Sequence, residues 1–249
     1  MAETAAFPRF AGRTALITGA TRGIGRAVAM AYAKAGAHVI LVGRTSGALT
    51  EVDDEIRAAT GKPDGVSLIT LNLKHGDKID AMGPSLYQRF GKLDILAACA
   101  GVLGPLTPLG HLKTDAWDDT LEINLSANMR LIRTLDPLLR LSTAGRAIFV
   151  TSGAAAGRNA YWGPYAVSKA ALDALVKTYA AEIANTPVRA NLLSPGPIRT
   201  AMRGKAFPGE NPLTLKTPED LAPTFLQLAD PALAENGSIY DFKSRAWLA

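Results

Sequence analysis

The sequence predicts an α/β fold built on a single doubly wound, mostly parallel sheet of seven strands, with helices on both faces. Seven short β-type runs alternate with long segments of helical pattern along the 249 residues. The runs are almost wholly apolar, as expected of strands buried on both faces of a parallel sheet. Their alternation with helices predicts right-handed crossovers. A chain of this length commonly forms one domain, so residues 1–249 are expected to be a single one.

Seven strands are predicted, and the β-type pattern is weakest in the last of them. They are Thr14–Thr18, His38–Val42, Val66–Leu71, Asp94–Cys99, Ala147–Thr151, Val188–Leu193 and Gly237–Phe242. Ile24–Ala35 and Ala166–Ala184 are examples of the helical patterns between them. Arg199–Thr217 is a long stretch rich in Pro and Gly, which is typical of a lid loop. Ligands of such sheets bind beyond the carboxyl ends of the strands, so we expect the chemistry there.

Composition narrows the classes of partner. Apolar residues make up 48% and charged residues 20%, as in ordinary globular proteins. The net charge of +5 comes from scattered basic residues, so no nucleic-acid partner is expected. No apolar run reaches the roughly 18 residues of a membrane span, and the N-terminus reads as no leader. The single Cys99 fits a reducing compartment, and we expect a cytoplasmic protein.

Metal ligands are not predicted. The histidines His38, His75 and His111 are far apart in the sequence and form no recognised ligand pair. No G-x-S-x-G segment of a hydrolase is present either. The candidate chemistry therefore lies in other motifs.

A glycine-rich turn follows the first strand and opens the first helix. It reads T-G-A-T-R-G-I-G over Thr18–Gly25. Gly19, Gly23 and Gly25 permit a tight turn, close approach of a pyrophosphate and close packing of helix on strand. The helix N-terminus offers N–H groups to the phosphates. The turn differs from G-x-G-x-x-G in spacing, but its strand-turn-helix context predicts a Rossmann-type nucleotide site.

The end of the second strand indicates which dinucleotide binds. NAD sites usually place an acid here to bind the adenosine ribose, whereas this strand ends V-G-R-T-S with Gly43 at that place. Arg44 together with Arg22 can pair with a 2′-phosphate through charge-assisted hydrogen bonds. NADP(H) is therefore favoured over NAD(H).

Several motifs in this order resemble the short-chain dehydrogenase/reductase family. They are T-G-x-x-x-G-x-G near the N-terminus, Asn124 in E-I-N-L-S-A, Ser152, the Y-x-x-x-K motif of Tyr165 and Lys169, and P-G-P-I-R-T at Pro195–Thr200. The resemblance covers nearly the whole chain. Arg199–Pro208 is further similar to a bacterial branch usually described only as oxidoreductases. The chain departs from the family in reading A-C-A-G at Ala98–Gly101, and in lacking the glycine pair after Asp241.

The resemblance implies a catalytic set of four residues. Tyr165 would exchange the proton at the substrate oxygen, as general acid in reduction. Lys169, one helical turn away, would lower the pKa of that tyrosine and bind the nicotinamide ribose. Ser152 would hold the substrate carbonyl, and Asn124 would hold a water that links Lys169 to solvent. The hydride would belong to the nicotinamide.

The expected cofactor-binding residues follow the strand ends. They are Gly19, Thr21, Arg22, Gly23, Ile24, Gly25, Arg44, Asn72, Leu73, Ala100, Gly101, Tyr165, Lys169, Pro195, Gly196, Ile198 and Thr200. Asn72 stands where the family often has an Asp near the adenine, and it can still donate and accept hydrogen bonds.

The leading hypothesis is an NADP(H)-dependent oxidoreductase that interconverts a carbonyl and a secondary alcohol of a small molecule, as a homodimer or homotetramer. One alternative is a 3-oxoacyl-carrier-protein reductase, because Arg203 and Lys205 could face an acidic carrier. Another is a dinucleotide-binding sensor or scaffold without turnover, because a fold does not guarantee chemistry. The choice of substrate is expected to lie in Gly153–Trp162 and Met202–Lys216.

Overall fold

The computed structural model describes residues 9–248 of the chain. The strands are β1 Thr14–Thr18, β2 His38–Gly43, β3 Val66–Thr70, β4 Ile95–Ala98, β5 Arg146–Val150, β6 Arg189–Ser194, β7 Ile239–Asp241 and β8 Ala246–Leu248. The α-helices are α1 Gly23–Lys34, α2 Ser46–Thr60, α3 Gly76–Phe90, α4 Thr114–Leu121, α5 Ala127–Arg140, α6 Gly163–Glu182, α7 Ala201–Ala206 and α8 Pro218–Leu228. The N-terminal stretch interpreted above as carrying no leader lies at positions 1–8, outside the described residues.

The strands form one sheet in the order β3-β2-β1-β4-β5-β6-β7-β8. The first seven are parallel to their neighbours, and β8 pairs antiparallel with β7. The predicted count of seven strands was therefore one too low. The missed strand has only three residues, too few to show a pattern, and it is held by edge-to-face contact of Tyr240 with Trp247.

Two apolar layers cover the two faces of the sheet. On one face, α3, α5 and α6 pack on alternate strand residues such as Leu16, Leu96 and Phe149. On the other, α1, α2 and α8 pack on the intervening residues, such as Ile17 and Ile148. Because successive strand residues point to opposite faces, continuous apolar runs are what this single α/β domain requires.

The segment predicted as an irregular lid loop contains regular structure. Between Arg199 and Thr217 lie α7 and a 3-10 turn at Pro212–Thr214. The Thr200 side chain caps α7 by accepting a hydrogen bond from the Arg203 N–H group at 3.2 Å. The two ends of the segment meet, since Arg199 N donates to the Lys216 carbonyl at 2.8 Å. The helix was not predicted because it has only six residues and lies in a segment rich in Pro and Gly.

The strand order reverses between β1 and β4, and this switch point locates the ligand crevice. The two strand ends are tied together there, because the Ala100 N–H group donates to Thr18 Oγ1 at 3.2 Å. Helices α4 and α5 are joined by a π-helical turn, Glu122–Ser126, which lies on the same side of the crevice as α6. Within residues 9–248, no helix is both long and apolar enough to cross a membrane.

Candidate active site

The turn after β1 requires glycine at two positions. Gly19 and Gly23 have φ angles of +67° and +53°, which residues with a Cβ atom rarely adopt. Gly19 also lies against the segment after β4, where an added Cβ would come within 2.9 Å of the Ala100 Cα atom. The turn therefore presents bare backbone at the switch point.

The amino end of α1 adjoins this turn. The side chain of its N-cap residue, Arg22, makes no capping hydrogen bond within residues 9–248. The first N–H groups of a helix have no partner inside the helix, and its dipole is positive at that end. Gly25 packs directly on the Gly19 carbonyl, where a side chain would collide. Unpaired N–H groups beside bare backbone fit the pyrophosphate of a dinucleotide.

Neighbouring loops converge on the same place. A Cβ atom added at Gly43 would lie 2.7 Å from Thr21 Cγ2, so the end of β2 touches the glycine turn. One added at Gly23 would lie 3.5 Å from Thr200 Cγ2, in the segment after β6. The loops after β1, β2, β4 and β6 therefore meet around the amino end of α1.

The end of β2 offers positive charge and no carboxylate at its last residue. Gly43 is buried against Thr21 and Leu49, so a carboxylate side chain there would have to displace its neighbours. Arg22 follows Thr21 and Arg44 follows Gly43, so the contact between Thr21 and Gly43 brings the two arginines near each other. Both arginines are exposed. Neither arginine forms an ion pair in the part of the chain that the structure describes.

The residues after β3 form a turn beside β2. Leu71 N donates to the Gly43 carbonyl at 2.8 Å, which places Asn72 next to the end of β2. Asn72 Oδ1 accepts a hydrogen bond from Lys74 N at 3.2 Å. Leu73 is buried in the core layer that includes α3. The side chain of Asn72 therefore shapes its own turn.

The residues after β6 complete the carboxyl edge of the sheet. Gly196 has φ +65° and lies at the surface, whereas Ile198 is buried and Pro195 is half-buried. The isolated bridge between Ile198 and Lys216 joins the two ends of the segment 199–217. Pro195, Gly196, Ile198 and Thr200 thus run along one edge, with Thr200 reaching the glycine turn.

Tyr165 and Lys169 lie one turn apart in the first half of α6, and both are buried. Lys169 Nζ lies 5.9 Å from the centroid of the Tyr165 ring and donates a 2.7 Å hydrogen bond to the Val150 carbonyl. Burial lowers the pKa of Lys169 to about 8, against the charge of Asp173, which raises it. The lysine therefore titrates much closer to neutral pH than an exposed one.

The pKa of Tyr165 is raised above its ordinary value. Burial is the main cause, and the Ser152 hydroxyl acts in the opposite direction. Tyr165 therefore keeps its proton at neutral pH.

Ser152 follows β5 and faces the same region. Its Oγ accepts a 3.2 Å hydrogen bond from Ala154 N and so caps the 3-10 turn Gly153–Ala156. This bond holds the serine side chain at the end of a buried strand, close enough to influence the pKa of Tyr165. Its hydroxyl proton stays available to donate, because the bond to Ala154 uses the oxygen as acceptor.

Asp173 also belongs to the site, and the sequence analysis did not predict it. It lies four residues after Lys169, on the same face of α6. It accepts a hydrogen bond from the Thr151 hydroxyl, immediately before Ser152. Its pKa is raised by burial, and the Thr151 bond and the charges of Lys177 and Lys169 oppose that rise. The i, i+4 spacing was the signal that could have identified it.

Asn124 is fully buried in the π-helical turn. Its Oδ1 accepts from Val102 N at 2.8 Å, and its Nδ2 donates to the Val102 carbonyl at 2.9 Å and to Ser168 Oγ at 3.0 Å. Asn124 Oδ1 and Lys169 Nζ lie 3.4 and 3.7 Å from where a Cβ atom on Gly101 would stand. The asparagine thus joins the segment after β4 to α6, beside Lys169.

An aromatic cluster near Tyr165 was also not anticipated. The rings of Trp162 and Tyr165 lie 5.9 Å apart in an edge-to-face arrangement, and Phe207 contacts Trp162 at 5.6 Å. Phe207 belongs to the segment 199–217, so this contact depends on how that segment folds. Among residues 9–248, no group of three or more His, Cys, Asp or Glu side chains is placed to hold a metal ion.

Sheet topology and the glycine turn at its switch point define the class of protein: a dinucleotide-binding protein with a Rossmann-type sheet. The chain belongs to the short-chain dehydrogenase family, whose profile matches residues 13–211. It is therefore an enzyme acting on CH–OH/C=O groups with NAD(P).

Three relatives place the chain within that family. It is 36% identical over 230 residues to the "Uncharacterized oxidoreductase YciK" of Escherichia coli (strain K12), covering 92% of this chain and 91% of that one. It is 33% identical over 193 residues to a 3-oxoacyl-[acyl-carrier-protein] reductase of Salmonella typhimurium, covering 78% and 76%. A protein of Escherichia coli CFT073 assigned to the short chain dehydrogenases and complexed with NADPH has a TM-score of 0.89 and 35% identity, covering 95% and 98%.

Proposed function

We propose that the protein is an NADP(H)-dependent oxidoreductase that interconverts a carbonyl and a secondary alcohol of a small molecule. The observation that carries the proposal is the buried pair of Tyr165 and Lys169 on α6, next to Ser152 at the end of β5. Buried titratable groups that meet at a ligand crevice are typical of catalytic sites.

Tyr165 is the proposed proton donor in reduction. Its raised pKa keeps the phenol protonated at neutral pH, as a general acid must be before it reacts. The Ser152 hydroxyl is proposed to donate to the substrate carbonyl oxygen, which fixes its position and stabilises its developing charge. The bound nicotinamide supplies the hydride in reduction and accepts it in oxidation.

Lys169 and Asn124 are proposed to assist proton transfer by Tyr165. The Lys169 ammonium group would bind the nicotinamide ribose and stabilise the phenolate left after proton transfer. Asn124 Oδ1 has a second lone pair beyond its bond to Val102, and it lies beside Gly101 together with Lys169 Nζ. That placement supports a water between the two residues that returns protons from solvent.

The proposed dinucleotide contacts are distributed over the segments after five strands and over helix α6. The pyrophosphate would lie on Gly19, Thr21, Gly23, Ile24 and Gly25, the adenosine near Arg22, Arg44, Asn72 and Leu73, and the nicotinamide near Ala100, Gly101, Tyr165, Lys169, Pro195, Gly196, Ile198 and Thr200. The contacts of Gly19 with Ala100 and of Gly23 with Thr200 support a shared ligand.

NADP(H) is the proposed preference over NAD(H). Two exposed guanidinium groups beside the glycine turn favour a 2′-phosphate, and the crowded Gly43 excludes the acid that a ribose would need. A relative with 35% identity is complexed with NADPH, in agreement with this preference.

The similarity to a 3-oxoacyl-carrier-protein reductase keeps that activity as a second candidate. The charge argument for it is weakened in the structure, because Arg203 bonds both carboxylate oxygens of Glu210, at 2.6 and 2.5 Å. Of the two basic residues expected to face an acidic carrier, Lys205 alone is exposed. Acetoacetyl groups on carrier protein and on free pantetheine distinguish the two functions, since a carrier-specific enzyme requires the protein.

Two measurements on the same preparation test the proposal against a sensor or scaffold without turnover. The first is the rise in melting temperature with NADPH, and the second is NADPH oxidation with a panel of ketones, aldehydes and acyl thioesters. We expect both a rise and turnover. A rise without turnover over the whole panel would favour the sensor and overturn the proposal.

Three further features are proposed with this function. The segment 199–217 would act as a lid over the substrate, since its Phe207 reaches the Trp162 ring beside Tyr165. The protein would work in the cytoplasm.

It would form a homodimer or homotetramer. Exposed Met129 on α5 and Val167 on α6 provide apolar surface for a contact between subunits. Sedimentation velocity would give the oligomeric state.

A further inference from the structure

Two aromatic rings from different parts of the chain lie in succession beside Tyr165. Trp162 is the N-cap residue of α6, and its ring meets the Tyr165 ring edge to face. Phe207, directly after α7, packs on Trp162 at an interplanar angle of 42°. The rings form a continuous apolar wall that leads from the proposed proton donor to the lid segment.

Phe207 is held in place by its own segment. The Arg203 guanidinium carbon lies 3.7 Å from the centroid of the Phe207 ring, within the range of cation–π contact. Glu210 fixes the same guanidinium group through two hydrogen bonds. The backbone closes the arrangement, since Phe207 N donates to the Arg203 carbonyl at 2.9 Å and Glu210 N to the Phe207 carbonyl at 3.1 Å.

The pairing of Arg203 with Glu210 also leaves little net charge beside this wall. A guanidinium group bonded to both carboxylate oxygens has little attraction left for a second anion. A substrate carboxylate placed against Trp162 and Phe207 would lose its hydration without gaining a free cation from Arg203. The Phe207 side chain is still 39% exposed, so part of it is free to contact an apolar substrate group.

We propose that Phe207 is the specificity-determining residue of the site. It selects neutral carbonyl compounds that carry a flat apolar group next to the carbonyl, and Glu210 excludes anionic ones by neutralising Arg203. The inference rests on the proposed carbonyl reduction and adds the substrate class to it.

Three probe substrates separate the effects of ring and charge. Methyl benzoylformate and methyl pyruvate share an α-keto ester and differ in phenyl against methyl. Benzoylformate keeps the phenyl group and replaces the ester by a carboxylate. We expect the wild type to prefer methyl benzoylformate to both others by about tenfold or more in kcat/KM.

The variants Phe207→Ala and Phe207→Leu test the ring. Phe207→Ala should lower kcat/KM for methyl benzoylformate by about fivefold or more, mainly through KM, and change methyl pyruvate by less than about twofold. Phe207→Leu should lie between, because it keeps apolar contact without the ring. Leu213→Ala is the matched control, since this side chain is 77% exposed in the same segment. Each variant is first checked for NADPH-induced thermal protection.

Glu210→Gln tests the charge. It frees the Arg203 guanidinium group, so kcat/KM for benzoylformate should rise relative to methyl benzoylformate. An unchanged substrate ratio in Phe207→Ala, a wild-type preference for methyl pyruvate or benzoylformate, or no gain for benzoylformate in Glu210→Gln would overturn the inference. If none of the three probes is reduced, the inference also fails, whereas the proposed function is judged separately on the wider carbonyl panel.

Discussion

At the scale of single residues, Lys169 shows how the fold creates a group that its sequence position does not reveal. The spacing of Tyr165 and Lys169 predicted one helical face, and α6 places both residues there. The spacing could not predict that Lys169 would be 4% exposed, nor that its ammonium group would bond the Val150 carbonyl. Both properties arise from the packing of α6 on the end of β5, which no local sequence pattern reports.

Lys169→Met should make the protein more stable at neutral pH. The folded-state pKa of about 8 is below the ordinary 10.5, so the folded protein disfavours the charge. The penalty is complete below pH 8 and disappears as the pH rises toward 10.5. We expect a gain on the order of 3 kcal/mol in unfolding free energy at pH 7, decreasing at higher pH.

Urea unfolding at pH 6.5 and 9.5 measures this difference. Lys177→Met is the control, because Lys177 lies on the same helix but is exposed. A gain for Lys169→Met that is the same at both pH values would show that packing, rather than the buried charge, is responsible.

Arg44→Asp should change the cofactor preference. Hydrogen bonds to charged groups contribute about 1.5–3 kcal/mol, so loss of the guanidinium group should weaken NADPH binding by roughly tenfold to a hundredfold. NADH binding should be retained or improved, because the new carboxylate can accept from the ribose hydroxyls. Titration of both cofactors measures the ratio of their Kd values, and Arg57→Ala, on α2, is the control. An unchanged ratio would move the phosphate contact away from Arg44.

At the scale of elements, the predictions succeeded where local pattern and tertiary environment agree. The seven predicted strands all exist, β1 with the predicted bounds and the others with ends that differ by at most two residues. At the start of β5 the shift has a clear cause: Arg146 is buried, yet it belongs to the strand because its guanidinium group donates to five backbone carbonyls. The π-helical turn around Asn124 could not be predicted, since its side-chain bonds to Val102 and Ser168 form only after the helices pack.

Helices α3 and α5 approach closely at a glycine, which permits a test of packing away from the site. Pro84 has no N–H group to donate to the Asp80 carbonyl, and the Thr134 hydroxyl donates to it instead at 2.8 Å. A Cβ atom on Gly83 would collide with the Thr134 hydroxyl and backbone. Gly83→Ala should therefore destabilise the protein by roughly 2 kcal/mol.

Gly47→Ala provides the matched control, because nothing lies within 4 Å of the Cβ position there and Gly47 is exposed in α2. It should be neutral or stabilising by up to about 1 kcal/mol, from helix propensity alone. Urea unfolding of both variants measures the difference. Equal stability of the two would show that the contact between α3 and α5 is not as tight as described.

At the scale of the whole molecule, the candidate site could be located from the sequence alone, because ligands bind beyond the carboxyl ends of parallel strands. The structure brings Gly19 against Ala100 and Gly23 near Thr200, although these pairs are 81 and 177 residues apart in sequence. Contacts that depend on the segment 199–217 could not be derived in this way. The contact between Trp162 and Phe207 requires a short helix, a cap and an ion pair to form together, and no periodic pattern marks them.

The central claim is that the Tyr165 hydroxyl supplies the proton in carbonyl reduction. Tyr165→Phe removes that oxygen and keeps the ring that packs on Trp162. The same change at exposed Tyr87 is the control. With any carbonyl compound that the wild type reduces, Tyr165→Phe should lower kcat by about a hundredfold to ten-thousandfold, since general acid catalysis contributes that much, while NADPH binding is retained. Turnover of Tyr165→Phe at the wild-type rate would contradict the claim.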